Sequence, residues 1–310
     1  MFEVRAQGRI DGVLRAELEV SWGKARALVE QGKVFVDGER VLDSAKPRRA
    51  GQSIEIRERA PRPGREVPAD LIVYSDTHVV VVRKPAGIST VPFDAFTSRR
   101  PAGGSGEDER GTLDEIVRRA LKTTALGVVH RLDKETSGLL VFTRTWLAKQ
   151  SLSAQFRAHT VERRYLAIAR GVVPKRTVTS HLVADRGDGL RGSIEHMRGR
   201  NRPATAQGQR AVTHVEPLET RELGGVPATL VSCRLETGRT HQIRVHLSEM
   251  GHPIVGERVY IRDYAGPKIQ APRVMLHAAL LGFVHPKTER PVRWEEPPPA
   301  DFTALWDAHG

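Results

Sequence analysis

The chain has 310 residues, a formal net charge of +12, 39% apolar and 28% charged residues, and a single cysteine, Cys233. That balance is that of a globular protein, with no run near the roughly 18 consecutive apolar residues of a membrane-spanning helix. One cysteine excludes an intrachain disulfide and a multi-cysteine zinc site, and the opening MFEVRAQGRIDG lacks the basic start and apolar core of a secretory signal. The positive excess points to a polyanionic partner, nucleic acid first. The lone thiol points to a reducing, cytoplasmic setting.

In chain order, SWGKARALVEQGKVFVDGERV comes first. Ser21 is placed to cap a helix, Ala25, Leu28 and Val29 form its apolar stripe, and Gly32 ends it. Val34 and Val36 then alternate into an Asp37-Gly38 hairpin turn, and GQSIEI supplies a last strand, completing a unit over residues 1–60. Residues 61–69, at the end of the proline- and charge-rich stretch RERAPRPGREVPA, predict an extended linker. The remainder, 70–310, alternates between two periods. Segments 78–84, 139–144, 164–170, 210–218 and 228–237 predict strands, being short, β-branched and partly alternating. Segments 111–122 and 145–159 predict helices, the second capped by Thr145. Strands arriving in runs, with helices between some of them, favour an α+β fold with a mixed, largely antiparallel central sheet and flanking helices. Cys233 lies in TLVSCRLET, where Thr229, Val231 and Leu235 share its strand face, the setting of a buried, inert thiol. Residues 94–110 and 185–207 predict long loops, the second carrying Arg186, Arg191, Arg198, Arg200 and Arg202 as a phosphate-contacting arm.

Two stretches carry chemistry. HRLDKETSGLL places His130, Arg131, Asp133, Lys134 and Glu135 directly before an apolar strand, with Gly138 supplying a backbone freedom that other residues lack. Taken alone, this is either a loop presenting a reactive carboxylate at a sheet edge or a hydrogen-bonded charged turn, since Asp133 and Thr136 both cap locally. LETGRTHQIRVHLSEMGH predicts a turn at Gly238, an N-cap at Thr240, a helix with Ile243, Leu247 and Met250 on its apolar side, and a stop at Gly251. His241, Arg244 and Ser248 fall on a face that need not be buried. His241 and His246 are five residues apart, which turns them away from each other on a helix and argues against a metal site.

HRLDKETSGLLVF together with GRTHQIRVHL closely resembles the signatures of the RluA-type pseudouridine synthases. VVVVRKPAGI, RRYLAIARG, QRAVTHVEPL and MLHAALLGFVHP match in the family's order, so the likeness spans about residues 70–290. Residues 10–57 resemble the small α-L RNA-binding module first described in a ribosomal small-subunit protein. The resemblance implies the pseudouridine synthase fold behind an α-L module, and an isomerase that breaks the ribose bond to a uridine nitrogen and rejoins the base through carbon 5. It implies no cofactor and no metal. The expected partner is RNA: ribosomal RNA in view of the module, with tRNA as the alternative substrate. Asp133 is the implied catalytic carboxylate, Arg244 its guanidinium partner, and Tyr165 the ring against the target base. Arg131 is expected to fill the space of the flipped nucleotide, with Lys134, Arg239 and Lys84 as candidates for phosphate contact. Two positions depart from the family's habit: Glu257 stands where an aspartate is common, and Thr90-Val91-Pro92 where His-Pro is common. Neither is expected to touch the chemistry. The competing readings are a glycosidase, which normally needs a second acid, and a noncatalytic RNA-binding assembly factor on the same fold.

Overall fold

The computed structural model describes residues 2–3, 8–42, 44, 47–60, 70–92, 111–197 and 208–308. The linker at 61–69, the loop at 94–110, and Arg198, Arg200 and Arg202 of the arginine-rich arm lie outside them. The chain divides into two compact units, Met1–Pro68 with Val91–Lys122, and Ala69–Thr90 with Thr123–Gly310.

The first unit contains β1 (Phe2–Glu3), β2 (Gly8–Arg9), α1 (Ile10–Leu18), α2 (Trp22–Glu30), β3 (Val34–Val36), β4 (Glu39–Arg40), β5 (Pro47–Arg48) and β6 (Ser53–Ile56). Ser21 caps α2, its hydroxyl accepting the Lys24 N–H. Asp37 and Gly38 both take positive φ, 50° and 83°, which suits the primed turn of the β3–β4 hairpin. Ile10 and Leu14 of α1 pack with Ala25, Val29, Val34, Val36 and Ile54 into one core. Helix α3 (Leu113–Ala120) also belongs to this unit and opens on a capping box between Thr112 and Glu115.

The second unit is a mixed sheet. Its strands are β7 (Ile72–Ser75), β8 (Val79–Lys84), β9 (Gly127–Val128), β10 (Ser137–Thr143), β11 (Glu162–Arg170), β12 (Arg176–Val183), β13 (Gly192–Ser193), β14 (Gln209–Leu223), β15 (Val226–Leu235), β16 (Leu276–Val284) and β17 (Pro291–Glu295). Its helices are α4 (Trp146–Arg157), α5 (Gln242–Glu249) and α6 (Ala300–Asp307). The spatial order is β13-β12-β14-β15-β11-β16-β10-β8-β7, with β17 against β16 and β9 against β10. Among the described residues only β10 and β16 run parallel. Every residue of β10 is buried, and from Gly138 to Phe142 its sequence is a continuous apolar run and not an alternation. Val79, Val81, Leu139 and Val141 meet Ala148 and Leu152 of α4, whose first turn is capped by Thr145. Gly138 has φ 113°, and a Cβ there would run into the Ala278 carbonyl of the parallel neighbour, which is why glycine stands at this crossing. No helix among the described residues is long and apolar enough to cross a membrane.

Candidate active site

The loop from Val129 to Thr136, between β9 and β10, is fixed from three sides. From β8, the Lys84 ammonium donates to the carbonyls of Pro85 (3.0 Å), Lys134 (3.0 Å) and Thr136 (2.7 Å). Thr90 grips Leu132 twice, its hydroxyl donating to the carbonyl at 2.8 Å and accepting the N–H at 3.1 Å. His130 accepts the Val141 N–H at Nε2 (3.1 Å) and stacks on Phe156 with ring centroids 4.5 Å apart. Burial pushes the His130 pKa down to about 3, so the ring is neutral and free to accept.

Held this way, the loop presents Asp133 into a cleft of about 600 Å³. Arg131, Arg157, Arg163, Arg239 and Arg244 also line it, and Asp133 is its one acidic residue among the described residues. Tyr165, on β11 opposite Cys233 of β15, forms part of the wall and is 8% exposed. Burial raises the Tyr165 pKa, Arg163 opposes the rise and Asp133 adds to it, leaving a neutral phenol. The wall carries α5 as well. His241 occupies the N-cap position in the left-handed region (φ 58°), and its Nε2 stands 3.8 Å from Asp133 Oδ1, beyond hydrogen-bond reach. Its Nδ1 meets the Tyr260 hydroxyl at 2.6 Å. Burial lowers the His241 pKa, against the pull of Asp133.

Asp133, Tyr165, Arg244, Arg131 and Arg239 line one cleft as expected, while the expected roles of Arg244, Glu257, Lys84, Lys134 and Thr240 change. Arg244 is not hydrogen-bonded to Asp133. Its guanidinium makes a two-pronged pair with Glu257, Nε to Oε2 at 2.7 Å and Nη2 to Oε1 at 2.8 Å, because Glu257 is carried up to it by the turn after β-bridge residue Ile254. Burial opposes the Arg244 charge, but Glu257 outweighs it and Asp133 adds to the effect, so the cation stands firm beside the cleft. Glu257, further held by the N–H groups of Arg258, Val259 and Tyr260, therefore bears directly on the site. Lys84 is not a surface phosphate contact: it is fully buried under the loop with its three donors spent on carbonyls. Burial, offset by Asp133 and Glu135, lowers its pKa to about 7. The Lys134 side chain lies outside the lining of the cleft. Thr240 does not cap α5 either. The buried Gln242 ties that corner instead, accepting from Thr237 and the Arg239 N–H and donating to Val212 and Thr213.

Sequence reasoning passed over Glu257, Thr90 and Arg163. The first two stood in plain view as departures from the family's habit. Arg163 had only the adjacent Tyr165 to mark it. It is 6% exposed, its Nη2 donates to the Glu236 carbonyl at 3.2 Å, its guanidinium lies over Phe156, and its Nε has no partner among the described residues.

Residues 78–249 match the family model described as RNA pseudouridylate synthase, and residues 8–54 match the S4 domain. The ribosomal large subunit pseudouridine synthase D of Nitrosomonas europaea is 33% identical over 97% of this chain and 84% of its own length. An uncharacterized RNA pseudouridine synthase of Bacillus subtilis, YlyB, is 33% identical over 98% of this chain and 94% of its own. Among solved structures, human RNA pseudouridylate synthase domain containing 1 is similar with a TM-score of 0.57 and 27% identity, covering 75% of this chain and 84% of that one. Match and geometry coincide on the loop, strand and helix that surround Asp133, and the chain belongs to the RNA pseudouridylate synthase family, with an S4 domain toward its N-terminal end.

Proposed function

We propose that this chain converts uridine to pseudouridine in large-subunit ribosomal RNA, with Asp133 as the catalytic carboxylate. The observation that carries the reading is the lone carboxylate among five arginines in one cleft. A glycosidase needs two acids across the scissile bond, and this lining supplies one. The isomerisation asks for one. The bond from C1′ to N1 breaks, the base turns, C1′ bonds to C5, and a proton leaves C5 while N1 gains one. Asp133 puts its negative charge at the ribose where positive character develops. Arg244, fixed by Glu257, sits beside Asp133 as a permanent cation. The Tyr165 ring offers a flat, neutral wall for the uracil. Arg131, exposed at the rim, takes the stacking position that the flipped nucleotide leaves. Arg239 faces the backbone phosphates.

Ribosomal RNA is favoured by the names of the relatives and by the S4 domain. That domain carries a basic aromatic patch, with the Arg15 and Arg26 guanidinium groups within 5.1 and 5.9 Å of the Trp22 ring centroid. Residues 1–60 are then the RNA-binding module, 61–69 the linker and 70–310 the catalytic domain, working in the cytoplasm where ribosomal RNA is made and modified.

The test is a transcriptome-wide pseudouridine map of cells lacking the gene, complemented with wild type or with Asp133→Asn. A ribosomal site lost on deletion and restored by wild type alone is the expected result. Restoration by Asp133→Asn rejects the carboxylate assignment. A lost site in tRNA replaces the substrate, and no lost site moves the assembly-factor reading ahead.

A further inference from the structure

Helix α4 presents a face that the fold does not use. Trp146, Lys149, Gln150, Ser153, Ala154 and Arg157 follow the spacing i, i+3, i+4, i+7, i+8 and i+11, one continuous helical stripe. Together they line a shallow depression of about 560 Å³. The opposite side of the helix makes the core contacts, through Ala148 and Leu152. Thr145 caps the helix whatever follows it, so neither helix formation nor packing requires an indole at the first position. Yet Trp146 is 72% exposed there, with Leu147 beside it at 48%.

Charge narrows what such a face is for. Helix α4 contains no acidic residue, and neither Lys149 nor Arg157 has an ion-pair partner among the described residues. An exposed aromatic in a row of unpaired cations and small polar groups is the arrangement that grips single-stranded nucleic acid, the ring stacking on a base and the cations following the phosphates. A protein-docking patch would instead surround its aromatic anchor with a wider apolar neighbourhood, whereas here Leu147 and Ala154 are the apolar residues beside Lys149, Gln150, Ser153 and Arg157. The stripe also leads somewhere. Ser153 and Arg157 line both this depression and the cleft that holds Asp133. From Arg157 back to Trp146 the helix rises about 16 Å, the length of about five nucleotides stacked at 3.4 Å each.

We propose that this face of α4 is a single-stranded RNA track running out of the cleft, on which Trp146 stacks an unpaired base flanking the target uridine while Lys149 and Arg157 neutralise the adjoining phosphates. The track rests on the pseudouridine synthase reading for its substrate. Its physical content, stacking on Trp146, is separable from catalysis.

Binding of a short fluorescein-labelled oligouridylate is compared for wild type, Trp146→Ala, Trp146→Phe and Lys149→Ala. The same four proteins are then run in steady-state pseudouridine formation on ribosomal RNA from the deletion strain. Trp146→Ala is expected to weaken oligouridylate binding by at least about fivefold, the lower end of base–aromatic stacking. Trp146→Phe regains most of the loss, and the catalytic effect falls on KM more than on kcat. Intrinsic fluorescence gives an independent reading: oligouridylate quenches the wild type, and most of that quench is absent from Trp146→Phe, which keeps the other three tryptophans. The side chain is solvent-facing, so circular dichroism and the melting temperature of Trp146→Ala should match wild type. Oligouridylate affinity and KM within about twofold of wild type in Trp146→Ala overturn the track. So does RNA-independent self-association in sedimentation that Trp146→Ala abolishes with RNA binding intact, which assigns the face to a second copy. A wild type that binds oligouridylate through Trp146 but forms no pseudouridine in any RNA leaves the track standing and rejects the catalytic reading.

Discussion

Arg131 is expected from the sequence to fill the space of the flipped nucleotide and Lys84 to meet phosphate, and the structure gives the two opposite surroundings. Arg131 is exposed at the rim of the cleft and makes no hydrogen bond or ion pair among the described residues, so nothing in the fold depends on it. Lys84 is fully buried and donates to the carbonyls of Pro85, Lys134 and Thr136, the second of which also accepts the Gly87 N–H. Their substitutions should therefore separate. Arg131→Ala leaves stability within about 0.5 kcal/mol of wild type, while turnover at saturating RNA falls by about tenfold, roughly 1.4 kcal/mol at the transition state. Lys84→Met removes three buried hydrogen bonds and lowers the unfolding free energy by about 2–5 kcal/mol, and activity falls with it because the Asp133 loop loses its anchor. Urea unfolding and single-turnover kinetics on both variants check this. Equal single-turnover rates for Arg131→Ala and wild type would remove Arg131 from the flipping step. That Asp133, Arg244 and Tyr165 line one cleft was legible in the sequence, because short motifs that resemble a family's carry them. The partner of Arg244 was not. Thirteen positions separate Arg244 from Glu257 in the chain, and only the turn after Ile254 closes that distance.

Among the elements, periodicity served best where one face is wet. Segment 228–237 alternates because β15 is buried on one side, and β15 was expected close to its observed bounds. Strand β12 (Arg176–Val183), between β13 and β14, buries only Ser180 and Leu182, and β16 (Leu276–Val284) is buried along nearly its whole length. Strand β16 lacks the alternation that periodicity detects, and β12 alternates in burial but places a serine at one of its two buried positions, so neither reads as a strand from its apolar residues. The parallel crossing of β10 and β16 escaped for the same reason, since register between distant strands leaves no local mark. Gly138 is the residue on which that crossing depends. Gly138→Ala drives a Cβ into the Ala278 backbone at a positive φ, and neither strand has room to move inside a sheet buried on both faces. The expected cost exceeds about 4 kcal/mol, in the range of core overpacking plus backbone strain. Gly224→Ala is the control: it also takes a positive φ of 62°, in the β14–β15 hairpin turn, but its Cβ meets nothing. It should cost only the left-handed penalty of about 1–2 kcal/mol. Thermal unfolding of the two variants side by side decides the matter, and equal losses would mean that strain alone, without the crossing, fixes the glycine.

For the whole molecule, the basic composition points to a polyanionic partner, and the two family-like segments give the order of S4 domain and synthase. Composition says nothing of how the interior titrates, and there the structure makes a further prediction. His246 is fully buried with Ser180 and Thr213 at 2.9 Å on its two ring nitrogens, and burial lowers its pKa to about 4. His130, accepting from Val141 and stacked on Phe156, is lowered to about 3. Both lie below the ordinary value of 6.5. From 6.5 down to those folded values the unfolded chain binds protons that the folded chain refuses, so stability is full above about pH 6.5 and falls as the pH drops. At pH 5 each histidine has withdrawn up to roughly 2 kcal/mol. The carboxylates held low by arginines, Asp11 and Glu257 among them, act in the same direction but release their share only below about pH 5, where unfolded carboxylates begin to protonate. The interval from pH 6.5 to 5 therefore belongs to the buried imidazoles. His246→Gln keeps a donor and an acceptor for the two hydroxyls and removes the titration. Its loss of unfolding free energy between pH 7 and pH 5 should be smaller than that of wild type by roughly 2 kcal/mol, whatever its stability at pH 7. An unchanged difference would show that His246 takes up its proton without opening the fold, and would place the acid sensitivity of the molecule elsewhere.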